Sequence, residues 1–391
     1  MLALSICFWL CVGLIVWTQL GYALALTLLA RLRGRSARRP PQELRGPPPA
    51  LSLIVAAHDE ATVIGAKVEN ALALDYPREQ LEVIVACDGC TDTTAQIARQ
   101  AGADLVLELP RGGKIRAQDA AVRAARGELL AFSDANSLWE ADAAIRLAAA
   151  FGDRHVGYAC GQVRFLAPGA PLRAGEAPNQ EGVYWRYELA VRDLESRLSS
   201  ITAGNGAIYA TRRGSYIEVD PIMGHDLSLP FNIVKRGSRA VYTPAARASE
   251  KMVPTLGGEF ARKRRMMSHT WPILLRGGML SPRGYPPGYA VMIFSHRVLR
   301  YAAPFLHALA LAANIALVVL APAGPERALY VATLVAQLAL LAAAALGGRL
   351  RLRVLLLARY YVQTVASVAA GLWDWLRHGT QASWEVAEGT R

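Results

Sequence analysis

The first 30 residues carry no charged side chain and run Leu, Ile, Phe, Trp and Ala almost throughout. A helix needs ~20 apolar residues to cross hydrocarbon, so residues 1–30 are expected to span a membrane. A cleaved signal peptide is the competing reading, but the basic start it needs is missing and the run is too long. Arg31, Arg33, Arg35, Arg38 and Arg39 come directly after, in a basic, proline-rich linker over 31–50. The positive-inside bias puts that end of the helix, and the chain beyond it, in the cytoplasm.

A second apolar region lies at the other end. Leu299–Ala321 and Ala328–Leu346, separated by "PAGPER", read as a transmembrane hairpin over 299–347, with Arg349, Arg351 and Arg353 marking the return. Residues 354–376 are apolar but contain Arg359, Gln363 and Asp374, which suits an interfacial or re-entrant segment within 348–391 with both ends cytoplasmic. Residues 251–298 read as interfacial amphipathic helices. Hydrophobic residues make up 53% of the chain, and the excess sits at these two ends. The net charge of +12 sits beside the apolar runs, including Arg262-Lys263-Arg264-Arg265. That placement favours anionic lipid headgroups as partners and argues against nucleic acid. Five cysteines suggest no disulfide framework; Cys87-Asp88-Gly89-Cys90 is a CxxC, but no second pair or histidine completes a zinc site, and two small residues at a strand-to-turn junction are the expected reading.

Between these ends, residues 51–250 alternate short β-rich runs with amphipathic helical ones. Leu51–Ala56, Leu81–Ala86, Asp104–Leu107 and Leu129–Phe132 are the strand-like runs, and 60–74, 92–101 and 114–126 have helical spacing. The alternation argues for an α/β domain with a mostly parallel sheet and right-handed crossovers. In such sheets ligands bind beyond the carboxyl ends of the strands, where His58-Asp59-Glu60, Asp88-Gly89 and Asp134-Ala135-Asn136 fall. Taken singly, each could be a helix N-terminus or a turn. Neither a P-loop nor a dinucleotide fingerprint is present.

"LSLIVAAHDEATVI", "LEVIVACDGCTDTT", "RGGKIRAQDAAVRAARGELLAFSDANS" and "MGHDLSLP" succeed one another as in the family-two membrane glycosyltransferases of GT-A fold. Cellulose synthase, hyaluronan synthase and many bacterial polysaccharide glycosyltransferases belong to that group. The resemblance covers roughly residues 50–300. It implies a Rossmann-like catalytic domain, a nucleotide-sugar donor (a UDP-sugar above all), a divalent metal (Mg or Mn), and a lipid or lipid-linked saccharide acceptor. On this likeness Glu60 matches the acid after the first strand and Asp88 the carboxylate that bonds the base. Lys114 matches the basic residue near ribose and diphosphate, and Asp134 the first acid of the metal-binding DxD. Asp226 stands where the family keeps its general base.

Three departures accompany the likeness. Asn136 replaces the second acid of DxD; its amide oxygen can ligate a cation without adding charge. His225 replaces the acid before the base and is expected as a hydrogen-bonding support. Arg262-Lys263-Arg264-Arg265-Met266 aligns with QxxRW, keeping Arg265 near the diphosphate but losing the tryptophan of processive synthases. Transfer of one sugar, or a few, is therefore expected. Gly204, Asn205 and Trp185 fall where the family builds its acceptor site, although packing serves Trp185 equally well. An inverting hexosyltransferase is the favoured reading. A processive polysaccharide synthase and a catalytically silent membrane assembly subunit are the rivals, the second kept alive by His225 and Asn136.

Overall fold

The computed structural model describes residues 1–34, 40–41, 43–44, 46–166, 181–251, 256–350, 352–380 and 382. Arg35, Arg38, Arg39 and Arg351 of the basic clusters, and the closing residues 383–391, lie outside the described residues.

The chain opens with α1 (Leu2–Val16), a π turn (Trp17–Gly21) and α2 (Tyr22–Arg33), one continuous helix that runs past residue 30 to the arginines. Four strands then form a parallel half-sheet: β1 (Leu51–Ala57), β2 (Leu81–Asp88), β3 (Leu105–Leu109) and β4 (Leu129–Asp134), in spatial order β3-β2-β1-β4. Helices α3 (Ile64–Leu72), α4 (Thr94–Gln100) and α5 (Lys114–Ala124) make the crossovers. Every residue of β1 is buried, as a strand covered on both faces requires, which explains its unbroken apolar run. Register places Ala56 opposite both Ala86 and Asp134, so β1, β2 and β4 release their polar tails at one edge.

Beyond β4 come β5 (Leu138–Trp139), α6 (Ala143–Ala150), β6 (Val156–Leu166), α7 (Glu181–Leu198), β7 (Tyr209–Arg212), α8 (His225–Lys235) and β8 (Arg239–Lys251). The eight-stranded sheet has order β3-β2-β1-β4-β7-β6-β8-β5, with β7 antiparallel to β4 and β6, and β8 parallel to β6. Phe132 stacks on Tyr209 at 4.7 Å across the β4–β7 pairing, so the core continues through the change of strand direction. The expected mixed, mostly parallel α/β architecture is the one observed.

Helix α9 (Leu256–Leu275) comes after the sheet. From Pro287 the chain is helical without a break through α10 (Pro287–Ile293), a second π turn (Phe294–Val298) and α11 (Leu299–Leu320). Residues 287–298, assigned to the interfacial segment from sequence, are thus continuous with the apolar helix, because a π turn inserts a residue without ending it. Helices α12 (Pro325–Leu350) and α13 (Arg353–His378) complete the chain. Gly347 and Gly348 let them meet closely; a Cβ at Gly347 would lie 2.4 Å from the Leu355 carbonyl oxygen. Four helical stretches among the described residues are long and apolar enough to cross a membrane: Leu2–Arg33, Pro287–Leu320, Pro325–Leu350 and Arg353–His378.

The two π turns pack on each other, Trp17 Nε1 donating to Ser295 Oγ (3.0 Å) and Thr18 Oγ1 to the Ser295 carbonyl (3.1 Å). Next to them the apolar helices are tied to the sheet domain. Buried Glu195 of α7 accepts from Tyr22 Oη (2.7 Å), His296 Nδ1 (2.7 Å) and Thr202 N–H (3.0 Å). Burying such a carboxylate is tolerable only because these donors surround it.

Candidate active site

The site is assembled at the edge where β1, β2 and β4 end. Asp134 closes β4, half-exposed, and its carboxylate is bonded to Lys114 Nζ from the first residue of α5. Gly113 opens α5 with φ 93°, a left-handed conformation suited to glycine, and a Cβ there would lie 2.1 Å from the Ala382 carbonyl oxygen. Ala382 thus lies against the loop that presents Lys114. Asp88 is buried and accepts the N–H groups of Gly112 (2.6 Å) and Gly113 (3.0 Å), so its carboxylate shapes this loop.

On the other side α8 begins with His225 and Asp226. The Asp226 carbonyl accepts the Gly204 N–H at 2.7 Å, joining α8 to the loop before β7. A Cβ at Gly206 would lie 3.5 Å from Lys114 Nζ and 3.7 Å from Asp134 Oδ2, so the same loop also borders the charged pair. Burial raises the Asp226 carboxyl above its usual range, with Lys114 pulling it down and Asp134 pushing it up. These opposing influences place Asp226, Lys114 and Asp134 in one electrostatic neighbourhood.

His225 is nearly sealed from solvent. Its Nδ1 meets Tyr209 Oη at 2.8 Å and its Nε2 meets Tyr216 Oη at 3.4 Å, with Phe132 edge-on to the ring. Burial, aided by Lys114, pushes its pKa down to about 3, so it is neutral at physiological pH. A neutral imidazole between two phenols fits the supporting role expected of it.

The acceptor candidates divide. Gly204 adjoins Asp226, its carbonyl held by Arg192 Nη2 (3.1 Å) and its α-carbon crowded by the Tyr158 hydroxyl. Asn205 spends its amide on the Gly161 carbonyl (2.7 Å) and the Ile208 N–H (2.8 Å), fastening the loop to β6. Trp185 donates to the Val163 carbonyl (3.1 Å) and packs edge-on to Phe165, which is a packing role for its ring. Glu60 is buried at the β1 exit, where its N–H donates to Thr94 Oγ1 (2.8 Å) and its carbonyl starts the turn into α3.

Arg265 lies on α9, which also contributes His269 one turn later. Burial lowers the His269 imidazole, Arg265 pushes the same way, and Asp226 opposes them. His269 was not singled out from sequence, since a lone histidine on an amphipathic helix has no signature. Two further charges were missed for the same reason. Lys67 of α3 is fully buried, its Nζ donating to the Ser137 carbonyl (2.7 Å), and burial pushes its pKa down to about 7 against Asp134 and Glu250. Glu250 of β8 is next to Ser249, the partner of Leu138, and burial with the Asp134 charge raises its carboxyl. Asp134 and Asn136 together offer one carboxylate and one amide oxygen from a single turn, a donor set that suits a hard divalent cation completed by phosphate oxygens.

The sequence profile described as "Glycosyltransferase like family 2" matches residues 47–268. A beta-monoglucosyldiacylglycerol synthase of Nostoc sp. is 31% identical over 123 residues, 30% of this chain and 26% of that protein. The enzyme of the same name from Synechocystis sp. is 36% identical over 98 residues, 24% of this chain and 20% of that one. The chain therefore spans about a quarter of the length of the curated relatives it matches. A mannosyltransferase from Pyrobaculum calidifontis, solved with GDP-Man and Mn2+, superposes with a TM-score of 0.68 at 23% identity over 95% of this chain and 99% of that one. The GT-A fold is shared along nearly the whole chain, and with the profile covering more than half of it, the chain belongs to the family-two glycosyltransferases.

Proposed function

We propose that the protein is an inverting hexosyltransferase that moves one sugar from a nucleoside-diphosphate donor, a UDP-sugar above all, to a lipid hydroxyl at the cytoplasmic membrane surface. The observation that supports this reading is the electrostatic neighbourhood that Asp226 shares with the Lys114–Asp134 pair, beside Gly206 at the strand ends. Lys114 binds the donor diphosphate as a point charge once it is released from Asp134. Asp134 and the Asn136 amide oxygen would hold a divalent cation, which supplies positive charge for the departing diphosphate when bound. Asp226 takes the proton of the acceptor hydroxyl, whose oxygen attacks the anomeric carbon while the nucleoside diphosphate leaves with the bonding electrons. Arg265 approaches the leaving group from α9.

A lipid acceptor is supported by the relatives' names and by the path of the chain from the site to the membrane helices. Helix α9, which carries Arg265 and His269, is bonded along α13: Arg264 to Asp374 through both oxygens at 2.5 Å, and Trp271 Nε1 to the Val368 carbonyl at 3.0 Å. Such a pair of helices would hold the crevice at the bilayer surface, where diacylglycerol or a lipid-linked saccharide can enter. The loss of the QxxRW tryptophan at Met266 supports single transfer over polymer growth. Purified protein in detergent, given a panel of nucleotide sugars and either diacylglycerol or a lipid-linked saccharide, should form one glycolipid with inverted anomeric configuration, read by mass spectrometry and NMR. Nucleotide-sugar turnover absent with every donor and acceptor would favour the silent assembly subunit instead.

A further inference from the structure

Adjacent parallel strands β1 and β2 end side by side, and their exits bring together three groups that the sequence keeps apart. A ring nitrogen of His58, a carboxylate oxygen of Asp59 and the Cys90 sulfur all lie within 4.8 Å of one another, each residue half-buried and open to solvent. His58 Nδ1 is 2.7 Å from the Asp88 carbonyl oxygen, which can only accept, so Nδ1 bears the proton. In the neutral ring the Nε2 lone pair then faces Asp59 Oδ2 at 3.5 Å. Asp59 Oδ2 also accepts from Thr91 Oγ1 (3.2 Å), and together with the Nε2 lone pair it presents two ligand atoms to one point in space. Asp59 Oδ1 accepts the Thr91 N–H at 2.7 Å, which holds the carboxylate in place. The Cys90 sulfur stands against the Ala57 carbonyl (3.5 Å), and a hydrogen bond from Cys87 lowers its thiol below the ordinary range.

We propose that His58 Nε2, Asp59 Oδ2 and Cys90 Sγ bind a divalent transition metal of zinc type, with water as the fourth ligand. One nitrogen, one oxygen and one sulfur suit a borderline-soft ion in tetrahedral coordination, whereas Mg²⁺ and Mn²⁺ prefer the all-oxygen set at Asp134 and Asn136. A histidine whose second nitrogen donates to a backbone carbonyl, and a carboxylate pinned by a backbone N–H, are the supports such ligands need. The ion would clasp the exits of β1 and β2 on either side of Asp88. The ligands adjoin Glu60 and Asp88, but the ion takes no part in the transfer step proposed above.

The test is a Co²⁺ titration of the full-length protein in detergent under reducing conditions. The expected result is one equivalent of cobalt with a thiolate-to-metal charge-transfer band and tetrahedral d–d absorption, displaced by Zn²⁺. Cys90→Ser and His58→Ala should weaken binding by at least ~10–100-fold, the loss already seen when only a supporting partner of a ligand is removed. Asp134→Ala should leave the band intact even if it ends glycosyl transfer, which separates this site from the donor site. Zn²⁺ should also protect Cys90 of the unaltered protein from alkylation, a readout that needs no variant to fold. Cobalt bound without thiolate absorption, a band indifferent to Cys90→Ser, or alkylation indifferent to Zn²⁺ would each leave only a His58–Asp59 ion pair and overturn the proposal.

Discussion

The Lys114 ammonium is bonded to the Asp134 carboxylate, joining the start of α5 to the end of β4 across 20 residues of sequence. Two groups expected to serve the donor therefore neutralise each other until phosphate and cation separate them. Asp134→Ala should abolish donor turnover and chelator should silence the wild type, whereas Asn136→Asp should stay active with a lower metal requirement. A charged ligand adds Coulomb attraction that an amide lacks, although its desolvation offsets part of the gain. Full activity in excess chelator would remove the metal role from Asp134.

Asp226 is the residue on which the displacement depends. Asparagine keeps its shape without its basicity, so Asp226→Asn should retain donor binding and lower kcat by ~10²–10⁴-fold. Because burial raises this carboxyl, and only the deprotonated form is a base, kcat/KM should rise with pH through a limb above the ordinary aspartate range. That limb should vanish in Asp226→Asn. A loss confined to donor affinity would assign Asp226 to binding.

Gly204 and Gly206 offer a paired test of the loop between sheet and base. A Cβ at Gly204 would collide with buried Tyr158, and the Gly204 N–H also holds the Asp226 carbonyl. Gly204→Ala should cost ~1–3 kcal/mol of stability through overpacking and depress kcat with it. Gly206→Ala meets Lys114 and Asp134 only at ordinary contact distance, so it should fold normally and show its effect in donor KM. Equal melting temperatures for the two variants would contradict the crowding at Gly204.

His225 makes stability depend on pH with a definite sign. Its pKa falls from about 6.5 unfolded to about 3 folded, so the unfolded chain binds the extra proton between those values. The stabilisation is whole above pH ~6.5 and is lost as pH falls toward 3. His225→Asn lowers stability overall but should flatten the fall in melting temperature between pH 6.5 and 5, measured against the parent protein. Parallel curves would show that His225 does not titrate on unfolding.

The bonds of α13 motivate a test of topology. Its C-terminal half is fastened to α9 through Asp374, and Thr380 Oγ1 donates to the Ser268 carbonyl (2.8 Å), so this end stays with the catalytic domain. A membrane-impermeant thiol reagent on intact cells should label Ala323→Cys, in the turn between α11 and α12, and miss His378→Cys. Labelling at 378 would make α13 a span.

The sequence by itself determined most of the elements of the sheet domain and named the candidate site residues. The uncharged run at 1–30, the alternation of β-rich and amphipathic segments over 51–134, and the polar residues closing each strand are local patterns, set by the periodicity that burial imposes. Asp88 and Asp134 were legible as polar residues closing strands, whereas Lys114 and Asp226 were named by the likeness to the family-two glycosyltransferases. Helix ends at the membrane were less so: the π turns at Trp17–Gly21 and Phe294–Val298 leave no compositional trace, and the second hid the continuity of residues 287–320. What pairing across the sheet decides could not be read at all. Lys67 and Glu250 meet the Asp134 turn only through α3 packing and the β5–β8 register, and His269 comes under the influence of Asp226 only through the placement of α9. The clearest case is Cys90, whose CxxC has no histidine at ligand spacing in the sequence. Parallel pairing of β1 with β2 sets His58 beside it, because neighbouring strands bring their exits together whatever the length of chain between them.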